Sequence, residues 1–434
     1  MRNLFLYLIV ILICTLRLIQ AQSFPQKPLS QIIIVGNDRT HSEVIERELL
    51  FSVGEVLNDS IIIESKKRLL NLWLFNRVEF YPLPDGNYTG LLISVTERLY
   101  IFPYPEFKME DRDWKKLTYG FGIAHENFRG RNEKLYLSFL FGNRPGYGFS
   151  YANPWVNRQL HLTTSFFIKK YHTKSYEKIT IDNETFSINE EHLFTSFSIG
   201  KYWTRYLYSG FRFFRDEVQL NEIYKEYLPT QNRRESLYGI SFSTLYDTRD
   251  LYAYPERGWF IRLSVGKSGF FVPEIDYWKY GIDIRRYVSR EQFTLAGRVA
   301  VRQSYGTLPF YDKIYLGFEE RVRGHFYQVI SGKHILVNQL ELRYPILDIN
   351  YFDFPIMGLP PSSTKDLKFG LKGGFFVETG VVWSKPPELA INNFITGFGA
   401  GIHIIIPYFE VLRIDLAFDE KLKTETVFEI GLAF

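Results

Sequence analysis

Trp259-Phe260-Ile261-Arg262-Leu263-Ser264-Val265-Gly266 alternates, with apolar residues at the odd positions and mostly small or polar ones at the even positions. That is the period of a strand whose two faces meet different surroundings. The same beat sets Phe293, Leu295, Val299 and Val301 against Thr294, Arg298 and Arg302, and Leu412, Ile414, Leu416 and Phe418 against Arg413, Asp415 and Asp419. Charged residues in mid-strand are costly in a packed core unless paired. They cost little in a polar lumen whose wall turns its alternate residues to lipid. Extended along the chain, the pattern predicts strands at 99–110, 118–128, 134–142, 146–156, 161–172, 193–203, 207–220, 234–247, 259–269, 277–288, 292–306, 334–346, 367–383, 394–407, 409–420 and 426–434. The first is interrupted by Pro103 and Pro105. It is counted because lipid forbids an unpaired edge and single-chain bacterial barrels have even strand numbers. The expected fold is an all-β transmembrane barrel of 16 antiparallel strands over residues 99–434.

Composition agrees. The chain holds 30 Tyr, 39 Phe and 7 Trp, an aromatic share of 18%, which suits girdles at two membrane interfaces. A soluble β-helix or a pair of sandwiches would not account for this load together with strands of lipid length. Arg2, the apolar run 4–16 and Ile19-Gln20-Ala21 read as a signal peptide over residues 1–21. The apolar run falls well short of the ~20 residues of a helical span, and no longer one follows. Cys14 is the only cysteine and lies inside this segment, and bulky Ile13 before it argues against lipid attachment. The mature chain is therefore expected to lack thiols, disulfides and thiolate metal sites. Its formal charge of +4 falls when Arg2 and Arg17 are removed, so nothing points to nucleic acid.

Residues 28–98 read differently. A strand at 31–35 stops at Gly36-Asn37-Asp38, and Thr40-His41-Ser42-Glu43 has the form of a capping box opening a helix with Val44, Ile45 and Leu49. After Gly54, Asp59 or Ser60 would cap a second helix carrying Ile62, Leu69, Leu70 and Trp73. Strands at 77–81 and 91–96 follow, joined by the turn-rich stretch 82–87. This β-α-α-β-β order makes a small α+β domain with both helices on one face of a three-stranded sheet. It is a binding or spacing module whose sheet edge can take a partner strand.

Loop lengths orient the barrel. With the small domain in the periplasm, connections after even strands should be short, as are 129–133, 157–160, 204–206, 289–291 and 408. Those after odd strands include the long 173–192, 221–233 and 307–333. The exception is 347–366, with Pro355, Pro360 and Pro361, read as a lid or a docking surface.

Val322-Arg323-Gly324-His325 stands in the long loop after the eleventh strand. By this motif the chain resembles the BamA/TamA-like superfamily of outer-membrane assembly and translocation barrels, whose periplasmic modules are POTRA domains. The family has Val-Arg-Gly followed by Phe or Tyr, in a loop that folds back into the lumen. Here His325 replaces the aromatic, with Phe326 next. The family's arginine meets an acid within Phe-x-Asp-x-Gly on the wall, and Phe376-Val377-Glu378-Thr379-Gly380 carries glutamate instead. Asp247-Thr248-Arg249-Asp250 with Pro255 and Gly258 resembles the family's periplasmic hairpin, an architectural element. Glu341-Leu342-Arg343-Tyr344-Pro345 and Arg413-Ile414-Asp415 resemble its strand patterns, with the charges on the lumen side. Phe428, Ile430, Leu432 and Phe434, placed on one face, resemble the C-terminal signal by which such barrels are recognised for insertion.

The resemblance implies protein assembly, insertion or translocation at the outer membrane, through a seam between the first and last strands. Pro103, Pro105 and a short last strand give that seam independent support. The partners expected are outer-membrane lipid, an unfolded client or secreted protein, and periplasmic chaperones or lipoproteins at the POTRA-like domain. A dedicated secretion pore for one partner is the alternative, and a passive solute porin is the alternative of another class. A single POTRA-like domain tilts toward a specialised machine. No enzyme is expected: there is no Gly-x-Ser-x-Gly and no His-Glu-x-x-His, and Glu319-Glu320 have no obvious fixed partner. No cofactor or metal is expected either.

Overall fold

A computed structural model describes residues 25–109, 117–157, 159–181, 184–317, 320–355, 358, 364–408, 410–432 and 434. The expected signal peptide, Cys14, Glu319, Pro360 and Pro361 lie outside the described residues.

The small domain runs β1 (Leu29–Val35), α1 (Ser42–Glu46), α2 (Asp59–Asn71), β2 (Phe75–Asp85) and β3 (Tyr88–Glu97). Its sheet order is β1-β3-β2, with β1 parallel to β3. A parallel pair needs a long crossover, which the two helices provide. Val44, Ile45, Ile62 and Leu69 from the helices bury against Val78, Leu91 and Ile93 from the sheet. Several local expectations are corrected. His41 holds the N-cap position of α1 without a side-chain bond, because the Thr40 hydroxyl donates to Glu97 instead (2.6 Å). The cap of α2 is Asn58, whose side-chain oxygen accepts the N–H of Ile61 (2.9 Å), one residue before the expected Asp59. Trp73 lies beyond the helix in the left-handed region, at φ 63°. Pro82 and Pro84 belong to β2 rather than to a loop, which an edge strand tolerates.

The larger unit comprises β4 (Ile101–Met109), β5 (Leu117–Phe128), β6 (Glu133–Gly142), β7 (Gly146–Asn157), β8 (Leu162–Ile181), β9 (Glu184–Tyr202), β10 (Leu207–Leu220) and β11 (Arg234–Asp247). It continues through β12 (Gly258–Phe270), β13 (Asp276–Arg290) and β14 (Phe293–Thr307). A loop then holds the short pair β15 (Ile314–Leu316) and β16 (Ile330–Gly332). β17 (His334–Phe352), β18 (Leu367–Trp383), β19 (Ile395–Ile406), β20 (Glu410–Asp419) and β21 (Thr424–Ile430) complete it. Apart from β15 and β16, these form one 16-stranded antiparallel sheet that begins at β4 and ends at β21. The strand count and order are those expected. Phe121, Phe139, Phe197, Phe213, Leu263 and Ile282 are exposed on the outer face, while Arg298, Glu341, Arg343 and Arg413 are buried on the inner one.

Two expected loops are partly strand. β8 and β9 continue as a hairpin to Ile181 and Glu184, so 173–192 is not a loop. Beyond His172 β8 pairs with β9 alone, so neither lipid nor lumen imposes the alternation used to find the other strands. Likewise β17 runs on to Phe352 with two register shifts against β18, which shortens the expected 347–366 stretch.

The small domain rests on the barrel's near rim. The Asn71 amide donates to the carbonyl of Asp250 (3.0 Å) and accepts the N–H of Tyr252 (2.9 Å). Asp366 accepts from Arg77 of β2 (3.0 Å) and from the Thr96 hydroxyl of β3 (2.8 Å), so the β17–β18 connection is a docking strip for both strands. Burial alone would raise the Glu79 carboxyl, but hydrogen bonds from Arg77 and Lys66 hold it below the usual range.

Candidate functional site

Arg323 is 2% exposed, at the tip of the loop that enters the lumen. Its backbone N–H and Nε donate to the two oxygens of Glu378 (2.8 Å each), and Nη2 lies 2.6 Å from Glu378 and 2.9 Å from Glu341. Nη1 reaches Asp415 (3.1 Å), and the guanidinium lies 3.5 Å from the ring centre of Phe376. One cation therefore ties the loop to β17, β18 and β20. A planar fork suits this, since it can serve several oxygens at once. Gly324 takes φ +95° and passes so close to β20 that a Cβ would stand 2.7 Å from the Phe418 carbonyl. Val322 is buried with Leu316, beside Gly380. Arg413 balances the acids, with Nε 2.7 Å from Asp415 and Nη2 on Glu429.

The loop is anchored on the same wall too, two strands along at β14, by a residue the sequence reading left without a partner. Glu320 accepts from Arg298 (2.8 and 2.9 Å) and Arg302 (2.8 Å), and Arg298 also donates to Asp283 on β13. The signal was present as Arg298 and Arg302, two lumen-side cations on β14 with no assigned counter-charge. The loop is thus pinned along one side of the lumen, acid to base over β14 and base to acid over β17, β18 and β20. Its outer side also grips the last hairpin. His325 Nε2 lies 2.7 Å from Glu420, the N–H of Phe326 donates to Glu425 (2.9 Å), and Arg321 reaches Glu429 (3.4 Å). Burial would raise the Glu420 carboxyl, but backbone donors and His325 hold it below the usual range.

A second insertion closes the near end. Asp247 pairs with Arg249 (2.7 Å), and Asp250 Oδ1 accepts the N–H groups of Leu251, Glu256 and Arg257 (3.0 to 3.2 Å), which tightens the hairpin before Gly258 opens β12. Its tip enters the lumen: Tyr254 Oη lies 2.9 Å from His403 Nδ1, and Arg343 Nη1 donates to the Pro255 carbonyl (3.3 Å). Arg343 also bonds Glu341 (2.7 Å) and lies beside the rings of Tyr254, Tyr287 and Phe434 at 5.0 to 5.8 Å. Tyr254 and His403 are site residues the sequence reading missed.

The expected common face of the C-terminus is corrected. Phe428 and Ile430 are 68% and 65% exposed, but Phe434 is 5% exposed and stacks on Tyr287 inside the lumen. Gly431, at φ +96°, follows the end of β21, and beyond it Phe434 lies inward. Periodicity cannot extend past that change of hand.

Among the described residues no ladder joins β4 to β21. The N–H of Glu126 donates to the Tyr100 carbonyl (2.8 Å), which sets the phase of the β4–β5 ladder. Even-numbered β4 residues bond β5, and odd-numbered ones turn their backbone groups to the free edge. Pro103 and Pro105 therefore delete donors from the seam side specifically. On β21 the N–H of Gly431 donates to Val411 (2.8 Å), so even-numbered residues there face the seam.

Residues 127–434 match the Omp85 superfamily domain, and residues 28–98 match the surface antigen variable number repeat, POTRA. No curated sequence matches closely. CdiB from Escherichia coli is similar at TM-score 0.60 and 11% identity, over 93% of this chain and 75% of that one. BamA from Haemophilus ducreyi lacking POTRA domains 1–3 is similar at 0.51 and 15%, over 94% and 83%. CdiB from Acinetobacter baumannii is similar at 0.51 and 15%, over 93% and 73%. At these identities the structures speak for the fold, while the domain match covers most of the chain and decides the family. The chain belongs to the Omp85 superfamily, as an outer-membrane barrel of the protein assembly and translocation class with its POTRA domain in the periplasm.

Proposed function

We propose that this protein inserts client polypeptides into the outer membrane by parting β4 from β21 and offering their edges as a template. The observation that carries this reading is the seam: two terminal strands that share no ladder among the described residues, one of them short of donors at Pro103 and Pro105. An unpaired strand edge is a hazard in lipid unless a strand is meant to fill it. The loop held at Glu320 and Arg323 lies inside the lumen along the β14 to β20 wall, and the space it takes from the pore favours lateral insertion over export of one dedicated partner and over passive solute diffusion. In the POTRA domain, β2 turns toward Lys365 and Asp366, whereas β1 keeps an outer edge that can accept an extended segment from a client or a periplasmic chaperone or lipoprotein. The protein acts as a template rather than as an enzyme.

The test is a bridge across the seam. One cysteine is placed in β4 and one in β21 of the mature chain, joined by a reducible reagent, and the protein is reconstituted in vesicles with an unfolded barrel as client. Bridging should slow client assembly by about tenfold or more, equivalent to at least ~1.4 kcal/mol on the barrier, and reductant should restore it. Undiminished assembly by a fully bridged protein would remove the seam from the mechanism.

A further inference from the structure

The barrel's outer wall carries a groove of about 470 Å³ toward the extracellular ends of β9 to β12. It follows one cross-strand row, Phe166–Phe197–Phe213–Ile240–Lys267, in which each residue is the ladder partner of the next. The adjoining row, Thr195–Arg215–Tyr238–Phe270, rises toward the extracellular ends. Thr195 is small among these aromatics, and the register shift between Tyr238 and Gly239 spreads β11 from β12, so the wall is hollowed where a flat barrel would be filled. Phe271, 89% exposed at φ 66°, stands at the edge of the hollow with its ring edge-on to Tyr238.

The rim is the unusual part. Arg215 breaks the apolar outward face of β10 and lines the groove. It bonds Glu217, and Arg234 Nε lies 3.2 Å from the other oxygen of the same carboxylate. Two guanidinium groups thus share one acid, leaving a positive surplus above an aromatic trough. Lys267, paired with Asp276, flanks it. Aliphatic chains fit the trough, and a phosphate can take the forked donors of both arginines.

We propose that this groove is a binding site for one anionic lipid of the outer leaflet, with an acyl chain along Phe213 and Ile240 and a lipid phosphate at Arg215 and Arg234. Charge complementarity selects the occupant, because a zwitterionic headgroup brings its own cation against the arginine pair. The site is independent of the seam, which lies between β4 and β21.

The full mature protein in a mild detergent, incubated with hexa-acylated lipid A, phosphatidylglycerol or phosphatidylethanolamine, is read by native mass spectrometry. Lipid A should be retained at about one copy through conditions that strip bulk lipid. Ile240→Trp, which fills the trough, should lower lipid A retention by about tenfold. The double variant Arg215→Gln with Arg234→Gln should weaken lipid A and phosphatidylglycerol and leave phosphatidylethanolamine unchanged. Two results would overturn the proposal: equal retention of phosphatidylethanolamine by the parent protein, or undiminished lipid A on an Ile240→Trp protein with normal heat-modifiable mobility. If Ile240→Trp fails to fold, the arginine variants decide, and lipid A retained by them at the parental level overturns it equally.

Discussion

Arg323→Ala should destabilise the folded barrel by about 3–5 kcal/mol, because it leaves buried carboxylates without their shared cation. Glu378 and Glu341 are each 1% exposed and Asp415 is fully buried, so water cannot take over the role of the guanidinium. Arg413 and Arg343 hold Asp415 and Glu341 in part, but Glu378 loses its only arginine among the described contacts. Among the described contacts, the loop would then be tied by Glu320 to β14 and by His325, Phe326 and Arg321 to the last hairpin. Two measurements check this: the denaturant midpoint of heat-modifiable mobility should fall, and single-channel conductance should rise as the loop loosens from the wall. Arg323→Lys keeps the charge but loses the fork and should fall between the two proteins. Parental conductance and midpoint in Arg323→Ala would show that the loop is held elsewhere. Glu320→Gln should have a smaller effect in the same direction, since Arg298 keeps Asp283.

The barrel was legible because its physics is two-sided. Lipid on one face and charge on the other impose a period of two, so fifteen segments could be counted from the pattern, and the need to close the barrel supplied the sixteenth. Where only one environment exists, the signal failed, as in the β8–β9 hairpin beyond His172. The brace arginine was legible by its place in a long loop, and its partner Glu378 by the Phe-x-Glu-x-Gly stretch on β18. That the same guanidinium also serves Glu341 and Asp415 depends on three strands converging, which spacing along the chain does not encode. Arg215 on the outer wall is the converse case, a lipid-side cation that breaks the alternation and marks a local site. Phe434 could not be placed, because one glycine dihedral reverses the face on which it lies.

Arg343→Ala should release the periplasmic hairpin and the C-terminus together. Arg343 is 1% exposed and touches both, through the Pro255 carbonyl and Tyr254 on one side and the Phe434 ring on the other. The hairpin's outer face is held by the POTRA domain, where Asn71 bonds the backbone of Asp250 and Tyr252 and Lys67 lies 3.6 Å from Asp250. A continuous set of contacts therefore runs from α2 through the hairpin and Arg343 to the residues that terminate β21. Such a chain of contacts transmits only if it has two arrangements, and the inward turn at Gly431 is the element that could supply the second. In Arg343→Ala, amide exchange in the hairpin should accelerate by about tenfold or more, and carboxypeptidase should trim the chain from Phe434 where it spares the parent. Asn71→Ala tests direction: it removes only the domain's grip, and trimming should rise there too, by a smaller factor. Faster hairpin exchange in Asn71→Ala with a C-terminus as protected as the parent's would uncouple the POTRA domain from the seam, leaving the hairpin as a plug and nothing more.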